Sequence, residues 1–234
     1  MNVKRHAEIS AVANGLQTAL WKKRSEIWST PPDADGLLPI PVDVIVREIL
    51  GVQLEEPEEI PAEHRSIEFD TAGFIDRDSR RIVVAQKHRL DFRRFTIAHE
   101  IGHWVLHPDM YYHRDRPLQG GERSNPKRPQ PELEADAFAA ELLMPKKVLI
   151  KKFMSAFGGT IDGRNADQTL AFWLSAGTHR NVNEIDLSSS LRYRSMLIAE
   201  TSSFGSSHFA PLARTFGVSP TAMAIQLEEL RLVI

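Results

Sequence analysis

Phe95-Thr96-Ile97-Ala98-His99-Glu100-Ile101-Gly102-His103-Trp104-Val105-Leu106-His107 is the stretch that decides the reading of this chain, because it sets H-E-x-x-H into an apolar pattern of helical period. Phe95, Ala98, Gly102 and Val105 form one apolar stripe at helical spacing, and Ile97, Ile101 and Trp104 form a second on the other flank. A helix apolar on both flanks is buried, and buried imidazoles and carboxylates need partners. His99 and His103, one turn apart, share a face and can hold one zinc ion, with Glu100 directed to the open side of the metal. Such a site makes an acidic water and places a proton acceptor beside it. Gly102 suits a close approach to another backbone, and Pro108 ends the helix.

A catalytic zinc needs a third protein ligand and an open fourth position. The longer pattern H-E-x-x-H-x-x-G-x-x-H is excluded, since Leu106 and Asp109 stand where it has glycine and histidine. His107 lies about 12 Å of axial rise beyond His99, too far for one ion to reach all three, and is read as a structural group behind the ligands. Downstream, Pro131-Glu132-Leu133-Glu134-Ala135-Asp136-Ala137-Phe138-Ala139-Ala140-Glu141 reads as an alanine-rich helix with acids at 132, 134, 136 and 141. Each acid could be an ordinary solvated charge. Glu134 shares a face with Ala137, Phe138 and Glu141, and a glutamate near the start of a second helix can complete a His, His, Glu site. Glu134 is therefore the expected third ligand, and Asp136 a carboxylate that orients a zinc histidine.

The pair of segments "RRFTIAHEIGHWVLH" and "ELEADAFAAELLMP" resembles the ImmA/IrrE family of zinc metallopeptidases. The resemblance assigns zinc binding to His99, His103 and Glu134, and the proton-transfer role to Glu100. It extends to the hairpin "GFIDRDSRRIVVA" and to the terminal "LARTFGVSPTAMAIQLEEL", so it covers most of residues 40 to 145 and 209 to 230. It implies a zincin-like fold and a regulatory endopeptidase that cuts a helix-turn-helix repressor of the XRE type, in stress response or related settings. The run between the family-like blocks is longer than the resemblance leads one to expect, and reads as an insertion able to reshape the cleft.

The expected fold class is therefore α+β: a small β-sheet packed on the H-E-x-x-H helix and a second ligand helix, with a C-terminal helical hairpin. Three regions are expected: 1–145, with N-terminal helices, hairpin and peptidase core; 146–208, an insertion of unknown architecture; and 209–234, a helix-turn-helix-like segment. Residues 6 to 29 read as a helix, Asp43 as the cap of a short helix ending at Leu50, and 54 to 63 as an acidic loop. Ser66 to Ile75 and Arg81 to Ala85 read as strands around the turn Asp76 to Arg80. An open edge of such a sheet can take a peptide by strand addition. The stretch from His113 to Pro131 reads as a basic, proline-rich connector.

With 42% hydrophobic residues the chain can bury a core, and with no cysteine any zinc must be held by histidine and carboxylate. No stretch approaches 18 apolar residues and the N-terminus lacks an apolar run after its basic residues, so a cytoplasmic protein without membrane contact is expected. A formal net charge of -2 gives no general attraction to nucleic acid. The terminal helix offers Gln226, Glu228 and Glu229 where phosphate contact wants lysine or arginine, which argues for packing rather than DNA reading. His208 is the expected candidate for a proton donor to the transition state across the cleft. The rival class is a non-catalytic regulator that binds a transcription factor or DNA and keeps zinc for structure. A glutamate base beside only three ligands favours the enzyme.

Overall fold

The computed structural model describes residues 2–33, 36–61, 64, 71–110, 112–115, 129–162 and 168–234, with backbone only at 112–115. Residues 66 to 70 of the expected first strand and most of the basic connector lie outside the described residues. The chain divides into two compact units, Met1–Leu143 and Met144–Ile234.

The first unit begins with helix α1, Val3–Ile27, whose N-terminus is capped by Asn2 accepting from the Arg5 amide at 2.8 Å. Ile9, Ala13 and Leu20, at spacings of four and seven, are buried on one stripe. A short helix, α2 (Val42–Val44), passes directly into a π-helical turn over Ile45–Ile49. Pro41, not Asp43, stands at its N-cap; Asp43 lies in the first turn.

Strand β1, Gln53–Glu55, falls where the sequence suggested loop, and pairs in parallel with β3 (Arg81–Val84). Strand β2, Gly73–Asp76, forms an antiparallel hairpin with β3, with Phe74 opposite Val83 and Ile75 opposite Ile82. The expected turn closes it: the Asp76 carboxylate accepts from the Ser79 amide at 3.1 Å. Strand β4, Tyr112–Asp115, adds on the other side of β2, giving the order β1-β3-β2-β4. Ile60, Phe74, Val83 and Ala85 make an apolar cluster on this sheet.

Helix α3, Leu90–Leu106, packs on β2 and β3 with one flank and on α4, Gln130–Leu143, with the other. Every residue of α3 from Phe95 to His103 is buried, as its two apolar stripes require. At Gly102 the helices meet: a Cβ there would stand 3.1 Å from Ala135 Cα and 3.1 Å from the Phe138 ring. Alanine at 102 would gain up to about 1 kcal/mol in helix propensity, but overpacking a core costs about 1–3 kcal/mol. Gly102→Val, with no such gain and a larger side chain, is expected to lower the urea midpoint clearly and to part α3 from α4; an unchanged midpoint would contradict the contact.

Helix α1 runs alongside α4 in the same direction, tied at both ends. The Arg5 guanidinium donates to Glu134 in the first turns of α4, and the Gln17 amide donates to the carbonyls of Glu141 and Leu142 at 2.9 Å, satisfying groups the helix end leaves open.

The second unit contains α5 (Lys146–Phe157), α6 (Gln168–Thr178), α7 (Leu191–Glu200), a two-residue hairpin of β5 (Ser203–Phe204) with β6 (Ser207–His208), α8 (Leu212–Phe216) and α9 (Pro220–Glu229). Phe157, Trp173, Phe204 and Phe209 join edge to face, with ring centroids 4.8–5.3 Å apart. The stretch 146–208, read from sequence as an insertion of unknown architecture, holds among its described residues α5, α6 and α7, which share a unit with the terminal pair. Ser219 caps α9 and Pro220 opens it, as expected. Met223 to Leu227 are all buried, α9 packs on α7, and Arg192 grips Glu228 with two bonds of 2.8 Å. This second helix is a core element of its unit. Among the described residues no helix is long and apolar enough to cross a membrane.

Candidate metal centre

The mid-section of α3 places His99, Glu100 and His103 fully inside the first unit. The Nε2 atoms of His99 and His103 converge to 2.9 Å. The Glu132 carboxylate from the first turn of α4 closes the triangle, with Oε2 at 3.5 Å from His99 Nε2 and Oε1 at 3.4 Å from His103 Nε2. Ligand atoms about 2.0–2.1 Å from a tetrahedral zinc ion lie roughly 3.3 Å apart, so these three separations suit one ion. Two imidazoles and one carboxylate are also the donor set of a zinc site that keeps a position open. Among the described residues, this trio is the group of acids and histidines close enough to hold a metal.

The third member is Glu132, and this corrects the expectation of Glu134. Successive helical residues turn by about 100°, so 132 and 134 point some 200° apart. Glu132 and Asp136, one turn apart, face α3 at the histidines. Glu134 faces α1 and His107 instead. It accepts from Arg5 Nη2 at 2.6 Å and Nε at 2.9 Å, from Gln130 Nε2 at 3.0 Å, and meets His107 Nε2 at 3.2 Å. Burial alone would raise its carboxyl pKa, but the hydrogen bonds from Arg5, Gln130 and His107 more than offset this and hold it at about 2. Glu134 is an ionised carboxylate that already has its partners. The sequence signal for Glu132 was its spacing of four from Asp136.

Asp136 Oδ1 lies 2.9 Å from His99 Nδ1. A carboxylate accepts only, so His99 carries its proton on Nδ1 and turns the Nε2 lone pair to the metal position. His208 belongs to β6 in the second unit, where it is exposed and lines a cavity of about 450 Å³ with Lys152, Ser155 and Thr215.

Glu100 lies against the sheet. A Cβ at Gly73 of β2 would stand 3.1 Å from Glu100 Oε1, 2.9 Å from Thr96 Cγ2 and 3.1 Å from the Val83 carbonyl oxygen. Strand and helix approach so closely there that only glycine leaves the carboxylate its place. The sequence reading did not single out Gly73. Gly73→Ala is expected to displace Glu100 and cut any Glu100-dependent activity at least tenfold while zinc content stays at the wild-type level, since no metal-facing residue is touched; equal losses of both would contradict this.

The C-terminal end of α3 is held by Arg77, from the β2–β3 turn. Its Nη2 donates to the carbonyls of His103, Trp104 and His107 at 2.8–3.1 Å, its Nε donates to Met110 O at 2.9 Å, and its guanidinium lies 4.5 Å from the Trp104 ring centre. One cation thus satisfies the open carbonyls and favours the negative end of the helix dipole. The hairpin just before α3 therefore fixes the turn that carries His103 and His107.

Residues 61–156 match the family model Peptidase_M78, described as the IrrE N-terminal-like domain. The matched span contains β2, β3, α3, α4 and all three members of the metal-binding trio. A comparison with curated proteins gives no match.

Proposed function

From the match of residues 61–156 to a peptidase family and the buried trio His99, His103 and Glu132, we propose that this protein is a zinc-dependent regulatory endopeptidase of the gluzincin type. Its substrate would be a protein, a helix-turn-helix repressor of the XRE kind, as the family resemblance implies. The observation that carries the reading is the buried trio of His99, His103 and Glu132, with a fully buried glutamate, Glu100, next to His99 in the chain. A structural zinc would take a fourth protein ligand and has no use for a buried carboxylate there.

When bound, zinc supplies Lewis acidity and brings the pKa of a water down to about 7. His99, His103 and Glu132 hold the ion, and Asp136 keeps His99 in the tautomer that binds it. The Glu100 carboxylate accepts the water proton and delivers it to the leaving amine, one residue serving as base and then acid. The full burial of His99, Glu100 and His103 strengthens these electrostatic interactions.

The test is incubation of the zinc-loaded protein with an XRE-type repressor encoded beside its gene. Cleavage at one site, lost on chelation and restored by zinc, is the expected result. An intact repressor after long incubation, together with tight sequence-selective DNA binding by the protein itself, would favour the non-catalytic regulator.

A further inference from the structure

We propose that His107, Glu134 and Arg5 form a relay that sets the tautomer and orientation of the metal-binding His103, so that the N-terminal helix is part of the metal site. The inference rests on the metal reading given above. The two histidines of the trio are supported differently. His99 meets a carboxylate directly, through Asp136. At His103 it is a histidine that meets the outer nitrogen: its Nδ1 lies 3.0 Å from Nδ1 of His107.

Chemistry fixes the direction of each bond in the chain. The Glu134 carboxylate, clamped by Arg5 and Gln130, accepts only. His107 must then present Nε2–H to it across 3.2 Å. A neutral imidazole with its proton on Nε2 has an accepting Nδ1. His103 must therefore donate its own Nδ1–H to His107, which leaves the Nε2 lone pair of His103 turned to the metal position. With His107 neutral, reversing any one bond between Glu134 and His103 would set two donors or two acceptors against each other, whereas the Nε2 atoms of His99 and His103, 2.9 Å apart, face each other as acceptors across the metal position. Both metal histidines are thus held with the proton on Nδ1, one by Asp136 and the other by Glu134 acting through His107.

Arg5 extends the device beyond α3 and α4. It comes from α1, outside the family-matched span 61–156, and places two guanidinium nitrogens on one Glu134 oxygen. Glu134 is thereby held toward His107 from the far side. These are positioning residues: none is among the trio that would touch the ion.

The test uses the full chain. Zinc affinity is measured by chelator competition, and the histidine tautomers of the metal-free protein are read by long-range ¹H–¹⁵N NMR. His107→Phe and Glu134→Leu are each expected to weaken zinc by roughly 10–100-fold. Glu134→Gln keeps an acceptor for His107 and should weaken it less, as should Arg5→Met. In His107→Phe the Nδ1–H signature should be lost at His103 and retained at His99. Glu134→Gln and Arg5→Met, which spare the core, keep the question answerable if the bulkier changes prevent folding, which circular dichroism would reveal. Unchanged zinc affinity and an unchanged His103 tautomer would overturn the relay, and so would an equal change at both histidines, the sign of general loosening. If wild-type protein binds no more zinc than His99→Ala, the metal reading fails, while the tautomers of the metal-free protein still decide the relay.

Discussion

Glu100→Gln is expected to retain zinc at the wild-type level and to lose turnover by about a hundredfold or more. Glutamine keeps the volume of a fully buried side chain and the contacts that Thr96 and Gly73 shape around it, so the fold and the trio should stand. What it cannot do is accept a proton and return it. The measurement is metal content beside single-turnover cleavage of a repressor already shown to be a substrate. Near-normal turnover in this variant would remove Glu100 from the proton path. Loss of zinc together with turnover would mean that Glu100 supports the metal instead.

The second large effect separates two acids two residues apart. Glu132→Ala is expected to abolish stoichiometric zinc binding, because it removes one of three donors and leaves two imidazoles facing each other at 2.9 Å. Glu134→Gln should keep nearly one zinc per chain at saturating metal, because Glu134 meets Arg5, Gln130 and His107 rather than the trio. Metal analysis after gel filtration, with His103→Ala as a zinc-free control, decides the matter. Zinc retained in Glu132→Ala and lost in Glu134→Gln would restore the ligand set that the motif resemblance implied.

What separates these two acids is a matter of angle. The repeated letters E-L-E-A-D show two glutamates before an alanine-rich run, and composition treats them alike. Their roles follow from which face of α4 meets α3, and that is fixed by the contact of Gly102 with Ala135 and Phe138. Once this contact sets the rotation of α4, Glu132 and Asp136 face the histidines and Glu134 faces α1. Arg5 could not be anticipated for the same reason. It lies 129 residues from Glu134, and nothing local links an N-terminal arginine to a carboxylate on α4.

Strand β1 went unread from sequence because Gln53-Leu54-Glu55 holds a single apolar residue, too short a run to show a period. It exists by pairing with β3, and its side chains are exposed, intermediate and exposed. The stretch 146–208 went unread from sequence for a related reason. Its helices are short, and their order comes from aromatic packing among Phe157, Trp173, Phe204 and Phe209 and from the burial of α9, not from any single helix.

The sequence by itself determined the elements whose cause is local. Two apolar stripes on one helix require burial of α3, and a spacing of four puts His99 and His103 on one face of it. Asp76, Ser79 and the strands on either side make the hairpin, and Ser219-Pro220 starts the last helix. Tertiary structure alone decided which carboxylate joins the histidines, which glycine makes room for Glu100, and which arginine stands behind His107. Those choices depend on the rotation and approach of elements far apart in the chain, which are set by packing summed over the whole unit, and no local pattern encodes that sum.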